Sequence, residues 1–357
     1  NYTGLTPGTV TDPMKGGVIN PISVYPFPNF KAEQTKSYEL GTNLRLFNNK
    51  INIDATVYLT DTYNQTFLSS MSPASGYSGF YVQAGKVRNK GIELSLGYND
   101  RFGKVGYATN LTYTANRNKI MKMVHDYKNP SDGSLFSITE LTLQDKGGVY
   151  LREKDAIGDV YVKGILARGK DGKLIEEEGG YKVDRSQRLK LGSVNPDFSI
   201  GWRHNVTWNN ITLDLLFNGR FGGIVTSSTQ AFLDDYGVSK DTYKARQNGG
   251  VWVNGTQYDA EKYYTTIGGE QLMAYYAYKA TNIRLQEASL SYTLPGKWFG
   301  NVINRLTVSA IGRNLWMIYN KAPFDPEMTS STGTYNRGDV FMPPSLRSVG
   351  FSVKIEL

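Results

Sequence analysis

Hydrophobic and polar residues alternate along many short segments of this 357-residue chain. In residues 51–60, for example, Ile51, Ile53 and Val57 occupy odd positions, whereas Asp54 lies on the opposite parity. Because successive side chains of a β-strand point to opposite faces, this spacing predicts a strand with one apolar and one polar face. The same pattern predicts nine strands, at residues 38–47, 51–60, 92–99, 105–115, 198–208, 211–221, 283–294, 306–316 and 349–357.

Two further features refine this pattern. Within residues 283–294 the apolar positions change from odd, at Leu285, to even, at Leu290. A β-bulge inserts one extra residue and so reverses the side-chain parity, and we therefore predict a bulge near Gln286. A further hairpin is predicted around residues 159–183.

The connections between the predicted strands alternate in length. Short turns follow three of the strands, at residues 48–50, 100–104 and 209–210. Long loops are expected at residues 68–90, 116–155, 222–279 and 320–344. Short turns on one side of a sheet and long loops on the other are typical of outer-membrane β-barrels. Recognition residues are expected on the long loops.

The composition is compatible with a membrane protein that crosses the bilayer by strands. The mean hydropathy is −0.41, and no apolar run reaches the roughly 18 residues that a transmembrane helix needs. Strands of a barrel alternate lipid-facing and polar positions, which keeps the mean hydropathy low. We therefore predict an all-β fold, an antiparallel transmembrane β-barrel. Aromatic residues suited to the lipid interfaces occur at predicted strand ends, namely Tyr98, Trp202, Trp208, Trp298, Phe299, Trp316 and Tyr319.

Several classes of chemistry lack support in the sequence. The chain has no cysteine, so disulfides and thiolate sites are excluded. The formal net charge is +8, but the basic residues are scattered among acidic ones, and nucleic-acid binding is not expected. His125 and His204 have no partners at metal-ligand or triad spacing, and no glycine-rich phosphate loop is present. We expect no catalytic residue, no metal, no cofactor and no enzymatic activity.

Two groups of loop residues are candidate ligand contacts. Aromatic faces beside hydrogen-bonding groups suit sugar rings or peptide side chains, and one loop carries Tyr263, Tyr264, Tyr275, Tyr276 and Tyr278. Packing of a folded loop is the alternative interpretation. Asp325 and Glu327 offer two carboxylates, although the intervening proline also predicts a structural turn. The acidic run at 176–178 is compatible with calcium binding, but a solvated hairpin with its turn at Asp171 and Gly172 is favoured.

Several short motifs, in this order along nearly the whole chain, resemble one family. They are EQTKSYELG at 33–41, KVRNKGIELSL at 86–96, GSVNPDFSIGW at 192–202, YTLP at 292–295, GRNLW at 312–316 and Asp325-Pro326-Glu327, together with the segment 222–255. On these residues the chain is similar to the C-terminal region of SusC/RagA importers, which are TonB-dependent outer-membrane transporters.

The resemblance implies a barrel of about 22 strands with a plugged lumen. Residues 1–357 would supply its C-terminal part, about ten strands, and the plug domain is absent from these residues. The implied partners are the N-terminal barrel and plug portion, TonB acting through that plug, outer-membrane lipid and a SusD-like surface lipoprotein. The implied substrates are oligosaccharides or peptides, taken up across the outer membrane of a Gram-negative bacterium. Asp214, Asn218 and Arg220 would face the plug or the solute.

Two other classes of protein are compatible with the alternation alone. A self-contained passive porin-type barrel would close by itself in detergent. A soluble extracellular carbohydrate-binding β protein would pack its apolar faces together across a sandwich and would need no detergent.

Overall fold

The structure is a computed structural model that describes residues 24–25, 31–70, 79–128, 133–143, 149–300, 302–330 and 338–357. Strands account for most of its regular structure. In chain order they are β1 (Val24–Tyr25), β2 (Gln34–Leu46), β3 (Ile51–Ser70), β4 (Gly79–Phe102), β5 (Val105–Lys122), β6 (Val124–Lys128), β7 (Leu135–Ile138), β8 (Glu140–Leu143), β9 (Val149–Arg152), β10 (Asp159–Leu166), β11 (Glu176–Glu177), β12 (Gly180–Tyr181), β13 (Val183–Ser193), β14 (Phe198–Trp208), β15 (Ile211–Phe221), β16 (Ile224–Ser227), β17 (Val251–Val253), β18 (Thr256–Tyr258), β19 (Ala277–Lys279), β20 (Asn282–Pro295), β21 (Arg305–Asn320), β22 (Gly338–Asp339) and β23 (Ser348–Glu356).

Three α-helices and one short 3₁₀ turn complete the described elements. They are α1 (Ser228–Asp235), α2 (Lys240–Gln247), α3 (Ala260–Gly269) and the 3₁₀ turn Gly296–Phe299. None of these helices has the length and apolar character that a membrane-crossing helix requires.

The chain forms two compact units. One comprises residues 1–39, 58–90 and 117–160, and the other comprises residues 40–57, 91–116 and 161–357. In the first unit, the β8–β9 hairpin joins β3 through Ser69 and Leu143, and β6 pairs with β7. Nine strands pair in the order β2-β3-β4-β5-β14-β15-β20-β21-β23, and segments of all nine belong to the second unit. These are the nine strands that the alternation predicts, and the hairpin around 159–183 is present as the β10–β13 pair.

The strands extend well beyond their predicted ends on the side of the long connections. Residues 79–90 belong to β4, and most of the predicted loop 68–90 is therefore strand, with 71–78 outside the described residues. The predicted loop 116–155 likewise contains the end of β5 and the short strands β6 to β9. Sequence alternation misses these extensions because charged side chains, such as Lys86 and Arg88, occupy positions that are apolar nearer the short turns.

The predicted loop 222–279 is a folded segment with three helices, which the all-β prediction did not include. A side-chain oxygen caps each helix: Ser227 accepts from the Gln230 amide, and Ser239 accepts from the Thr242 amide. Asp259 caps α3 in the same way. Such caps satisfy backbone donors at the helix start. The helices have only 8 to 10 residues and depend on packing, so their periodicity is weak in the sequence.

The nine-stranded sheet has one polar and one apolar face. On the polar face, hydroxyl side chains pair across β20 and β21, with 2.8 Å between the Ser291 and Ser309 oxygens. On the opposite face, Leu290 of β20 is cross-strand neighbour to Ala310 of β21, which in turn neighbours Phe351 of β23. The Leu290 side chain is 54% exposed. A row of exposed apolar residues suits contact with acyl chains rather than with water.

The predicted β-bulge is confirmed at Gln286. The register of β20 against β15 passes directly from Glu287 to Leu285, and the register against β21 skips the same residue. The Gln286 amide donates to Asn314 Oδ1 at 3.0 Å across the two strands. Asn314 has a φ of +51°, in the left-handed region that asparagine tolerates better than most residues.

Replacement of Asn314 is expected to expose the strain of this bulge. Asn314→Val should lower the free energy of unfolding by about 1–3 kcal/mol, because a β-branched residue is strained at positive φ. Asn314→Gly should cost less, since glycine adopts this backbone conformation freely. The comparison can be made by denaturant unfolding of the full-length protein in lipid. Equal losses in both variants would mean that the side-chain contacts of Asn314 matter and its backbone does not.

Candidate functional site

The tyrosine-rich loop is the core of a compact helical segment within the second unit. Its buried residues come from the β10–β13 region, from α1 and α3 and from the chain after α3. The buried members are Leu166, Leu174, Tyr181, Ala231, Tyr258, Ile267, Leu272 and Tyr276. Tyr263, Tyr264, Tyr275 and Tyr278 pack against them. The five predicted tyrosines therefore come together, and packing is a role that all five perform.

Tyr276 and Asp234 form a buried hydrogen bond between side chains in this segment. Tyr276 is only 2% exposed, and its hydroxyl donates to Asp234 Oδ2 at 3.0 Å. Burial, followed by the nearby Asp234 charge, raises the pKa of the Tyr276 hydroxyl far above its ordinary value. Burial also raises the pKa of Asp234, although hydrogen bonds from Ser239 and Tyr276 oppose that rise. Tyr276 is therefore a structural donor at neutral pH.

The other tyrosines use their hydroxyls in different ways. The Tyr275 hydroxyl accepts from the Leu166 amide at 3.0 Å and ties β10 to the helical segment. The rings of Tyr263 and Tyr264 meet edge to face, with 5.4 Å between centroids. Burial raises the pKa of Tyr263, of Tyr264 and of Tyr278 to about 12. The phenols of Tyr263, Tyr264 and Tyr278 are therefore neutral near pH 7. Direct contact with a ligand stays a prediction for them.

Two cavities open on this helical segment. A cavity of about 290 Å³ lies between the three helices and is lined in part by Asp235, Arg246, Glu261 and Tyr264. A more open groove of about 520 Å³ runs between β11–β13 and α3, and its lining residues include the chain from 177 to 181, Arg185, Thr266 and Glu270. Carboxylates, amides and aromatic rings in a concave site provide both hydrogen bonds and apolar faces.

Asp325 and Glu327 form a clamp with Arg284 of β20. The Arg284 guanidinium donates to both carboxylate oxygens of Asp325, at 2.8 and 3.2 Å, and lies 3.3 Å from Glu327. The side chains of Arg284 and Asp325 are only 6% and 8% exposed. Asn282 Oδ1 also accepts from Arg284, and the Ser345 hydroxyl donates to Asp325 at 2.6 Å. The buried Asp325 carboxylate is thus bound by other residues of the chain, which agrees with a structural role for this turn.

The candidate lumen residues lie on β15. Asp214 accepts from Arg203 Nε at 2.8 Å and from the Asn205 amide at 3.0 Å, both on the neighbouring β14. Arg220 donates to the backbone carbonyl of Val194 at 2.5 Å. Asn218 is directly opposite Gly201 in the register with β14. Asp214 thus pairs with a neighbouring strand of the sheet, and Arg220 pairs with the connection before β14. Contact with a plug or a solute stays a prediction for all three residues.

The remaining chemical candidates have structural partners. His125 Nε2 lies 2.5 Å from Glu153, and His204 Nδ1 lies 2.9 Å from the Tyr107 hydroxyl. The acidic run at 176–178 is the β11–β12 hairpin, in which Glu176 pairs with Tyr181. No group of three or more potential metal ligands occurs within the described ranges. The run thus belongs to a hairpin, but its turn lies at Glu178 and Gly179. Asp171 and Gly172 form a separate turn, which the Arg168–Leu174 bridge closes.

Sequence reasoning missed several residues that shape this region. Arg284 reads as an ordinary polar strand position, and its role depends on the distant Asp325. Asp234 was not singled out because a carboxylate in a loop is usually solvated. Tyr236, Tyr243 and Trp252 are exposed on the helical segment, where free rings suit recognition better than the packed tyrosines do. The enrichment of aromatic residues in 222–279 was the available signal.

The known proteins whose sequences resemble this chain are TonB-dependent receptors. Residues 1–152 match the family model described as TonB dependent receptor-like, beta-barrel. TonB-dependent receptor P3 of Formosa agariphila is 24% identical over 340 residues, which cover 89% of this chain and 33% of that protein. TonB-dependent receptor P39 of the same organism is 21% identical and covers 87% of this chain and 34% of that protein. The chain spans about a third of the length of these curated relatives.

Solved structures share this fold. The RagAB peptide transporter matches with a TM-score of 0.65 and 18% identity, over 90% of this chain and 35% of that chain. The RagAB peptide importer in its closed-closed state matches with a TM-score of 0.67 over the same shares. The sequence match to the receptor β-barrel model, the receptor relatives and the two-faced sheet agree with this fold. The chain is thus similar, over about a third of their length, to the β-barrel portions of TonB-dependent receptors.

Proposed function

We propose that this chain supplies wall strands and external loops to an importer in the outer membrane of a Gram-negative bacterium. The importer takes up oligosaccharides or peptides with energy transmitted by TonB, under a SusD-like lipoprotein lid. The names of the relatives support the receptor class, and the RagAB title names a peptide importer. TonB would act through a plug portion outside these residues. The proposed role is transport, and no catalytic step is assigned to the chain.

The observation that carries the proposal is the two-faced sheet with long connections at one end. Its apolar row is exposed at positions such as Leu290 and Val308, while its polar row is bridged by serine and threonine hydroxyls. Each edge strand, β2 and β23, has one sheet neighbour among the described residues. An unpaired strand edge in a membrane is costly. The rest of the transporter is therefore expected to pair with both edges and to close the barrel.

The loop segment 222–279 is the proposed external recognition element. Its open groove offers Glu178, Arg185 and Glu270, and its surface carries Tyr236 and Trp252. Such groups suit a sugar rim or a peptide backbone, with stacking on the exposed rings. The packed tyrosines hold this surface in shape. On the polar row, Asp214, Asn218 and Arg220 are proposed to face the plug or the passing solute.

Two other functions make different predictions. A passive porin-type barrel would close without further strands, which the two singly paired edges disfavour. A soluble carbohydrate-binding protein would cover its apolar row with a second sheet, whereas Leu290, Phe351 and Val353 are exposed.

Uptake in cells tests the proposal. The full-length gene that encodes this chain is deleted, and uptake of fluorescent oligosaccharides and peptides is compared with and without complementation, in strains with and without TonB. We expect uptake of one substrate class to require both the gene and TonB, and a surface lipoprotein to co-purify with the tagged transporter. Uptake that persists without TonB would support a passive pore instead. Recovery of the protein in the soluble fraction would reject the membrane assignment.

A further inference from the structure

On the apolar face of β2 to β5, apolar side chains are replaced by charged ones at the same distance from the short turns on neighbouring strands. A transmembrane strand needs about 9 to 11 residues, and the segments 51–60 of β3 and 92–102 of β4 meet that need from their short turns outward. By the period-two rule, the next residues on the same face of the two strands are Asp61 and Lys90, followed on β4 by Arg88 and Lys86. Apolar side chains therefore give way to cations at one level.

Contacts within the first unit place several of these side chains together. Arg88 donates to both carboxylate oxygens of Asp61, at 2.6 and 2.8 Å. Lys86 Nζ lies 2.7 Å from the same carboxylate and 5.2 Å from the centre of the Tyr63 ring. Lys36 of β2 lies above that ring at 5.8 Å. Asp61 is buried, whereas the two cations that it holds are partly exposed. The carboxylate therefore orders Lys86 and Arg88 at the surface.

A hydrogen bond on the opposite face of the sheet shows to which face Lys90 and Lys119 point. Asn118 of β5 donates to Asn89 of β4 at 2.8 Å, so these two amides share the polar face. Lys90 and Lys119, each one residue away, therefore point to the other face. Both are exposed, as is Lys36. Five cations of β2, β4 and β5 thus share the face of Asp61, and two of them, Lys86 and Arg88, contact it. We call Lys36, Lys86, Arg88, Lys90 and Lys119 the basic cluster.

We propose that the basic cluster binds the phosphate groups of phosphorylated glycolipids in the outer leaflet of the membrane. The proposal rests on the outer-membrane location in the proposed function, with the long connections outside. The cluster lies on the lipid-facing side, directly beyond the apolar span, where lipid headgroups lie. Guanidinium and ammonium groups pair with phosphate through charge-assisted hydrogen bonds. Tyr38 and Tyr63 add amphipathic rings at the same level, as is typical of membrane interfaces.

The location of the cluster favours a lipid over a soluble anion. Solutes approach the polar face, whereas this cluster shares its face with Leu59 and Ile92. A ligand there must have an anionic head beside an apolar body, which describes a phosphorylated lipid. Each lysine or arginine near an anionic lipid surface contributes about 1 kcal/mol of binding free energy, or roughly a fivefold change in affinity. Several cations together therefore make a detectable site.

Native mass spectrometry of the purified full-length transporter tests this inference. Diphosphoryl lipid A, dephosphorylated lipid A and inorganic phosphate serve as probes. The cluster variant combines Lys36→Gln, Lys90→Gln and Lys119→Gln, which spares the cations paired with Asp61. The matched control combines Arg101→Gln, Lys104→Gln and Lys297→Gln, three exposed cations near the short turns. We expect the cluster variant to bind diphosphoryl lipid A at least about tenfold more weakly, and the control to stay within about twofold of wild type.

Several results would overturn the inference. They are an unchanged affinity in the cluster variant, an equal loss in the control, and equal binding of dephosphorylated lipid A. Displacement of lipid A by inorganic phosphate at comparable concentration would identify a free-anion site and reject a lipid site. If the variant does not fold, binding of diphosphoryl lipid A by the wild type is measured at increasing salt concentration. The inference requires that added salt weakens this binding, and unchanged binding would overturn it. Uptake is measured separately, so its loss with lipid binding intact would reject only the importer assignment.

Discussion

Arg284→Met is expected to be among the most destabilising single substitutions in this chain. The substitution leaves the Asp325 carboxylate, whose side chain is only 8% exposed, without its bidentate partner. Removing one member of a buried ion pair costs about 3–5 kcal/mol, because the other charge stays desolvated. The measurement is the free energy of unfolding of the full-length protein in lipid. Limited proteolysis of the connection after β21 would report the local part of the loss.

Arg313→Met is the matched control for this prediction. Arg313 of β21 pairs at 2.8 Å with Glu287, which lies on the same strand as Arg284, but the Arg313 side chain is exposed. Exposed ion pairs contribute about 0–1 kcal/mol, so the control should lose little. Similar losses in the two variants would mean that the buried clamp has no special role in stability.

The clamp should also depend on pH in a defined direction. Burial alone would raise the pKa of Asp325, but hydrogen bonds from Arg284, Ser345 and the Glu327 amide outweigh burial and hold the pKa below its ordinary value. A depressed carboxyl pKa contributes stability at pH values above the unfolded pKa of about 3.9. That contribution is lost as the pH falls below this value. Between pH 5 and 8 the clamp should be insensitive to pH.

Leu272→Ala is expected to loosen the helical segment while the strands stay intact. Leu272 is completely buried in the hydrophobic cluster against which the tyrosines pack. Truncation of a buried leucine to alanine costs about 2–5 kcal/mol, since the cavity is only partly refilled. Trypsin cleavage at Lys240, Lys244 or Arg246 should then accelerate by at least tenfold if local opening precedes cleavage.

Val238→Ala is the control for this experiment, because Val238 is exposed in the same segment. Its rate of cleavage should match that of the wild type. Heat-modifiable migration in gels would report whether the strands remain assembled. If Leu272→Ala disrupts the strands as readily as the helices, then the segment and the sheet unfold together, and the segment is not a separate cooperative unit.

The alternation of apolar and polar residues predicts the strands of the sheet, because this alternation is contained within each strand. Alternation gave the nine strands, the hairpin around 159–183 and the bulge at Gln286, all of which the structure contains. Period-two spacing needs only neighbouring residues, and a bulge reverses the parity within a single strand. The resemblance to SusC/RagA importers, carried by motifs such as GRNLW at 312–316, also lies in the sequence itself.

The candidate sites depended on contacts that local pattern does not contain. From the sequence alone one can see that five tyrosines lie in one loop, and one can predict a turn at Asp325 and a polar row on β15. Only tertiary structure decided that Tyr276 donates to Asp234, that Arg284 meets Asp325 and that Lys86 and Arg88 meet at Asp61. It also decided that three short helices fill the segment 222–279. Helices of this length are stabilised by packing against distant residues, and an ion pair requires both partners, so neither leaves a reliable local signal.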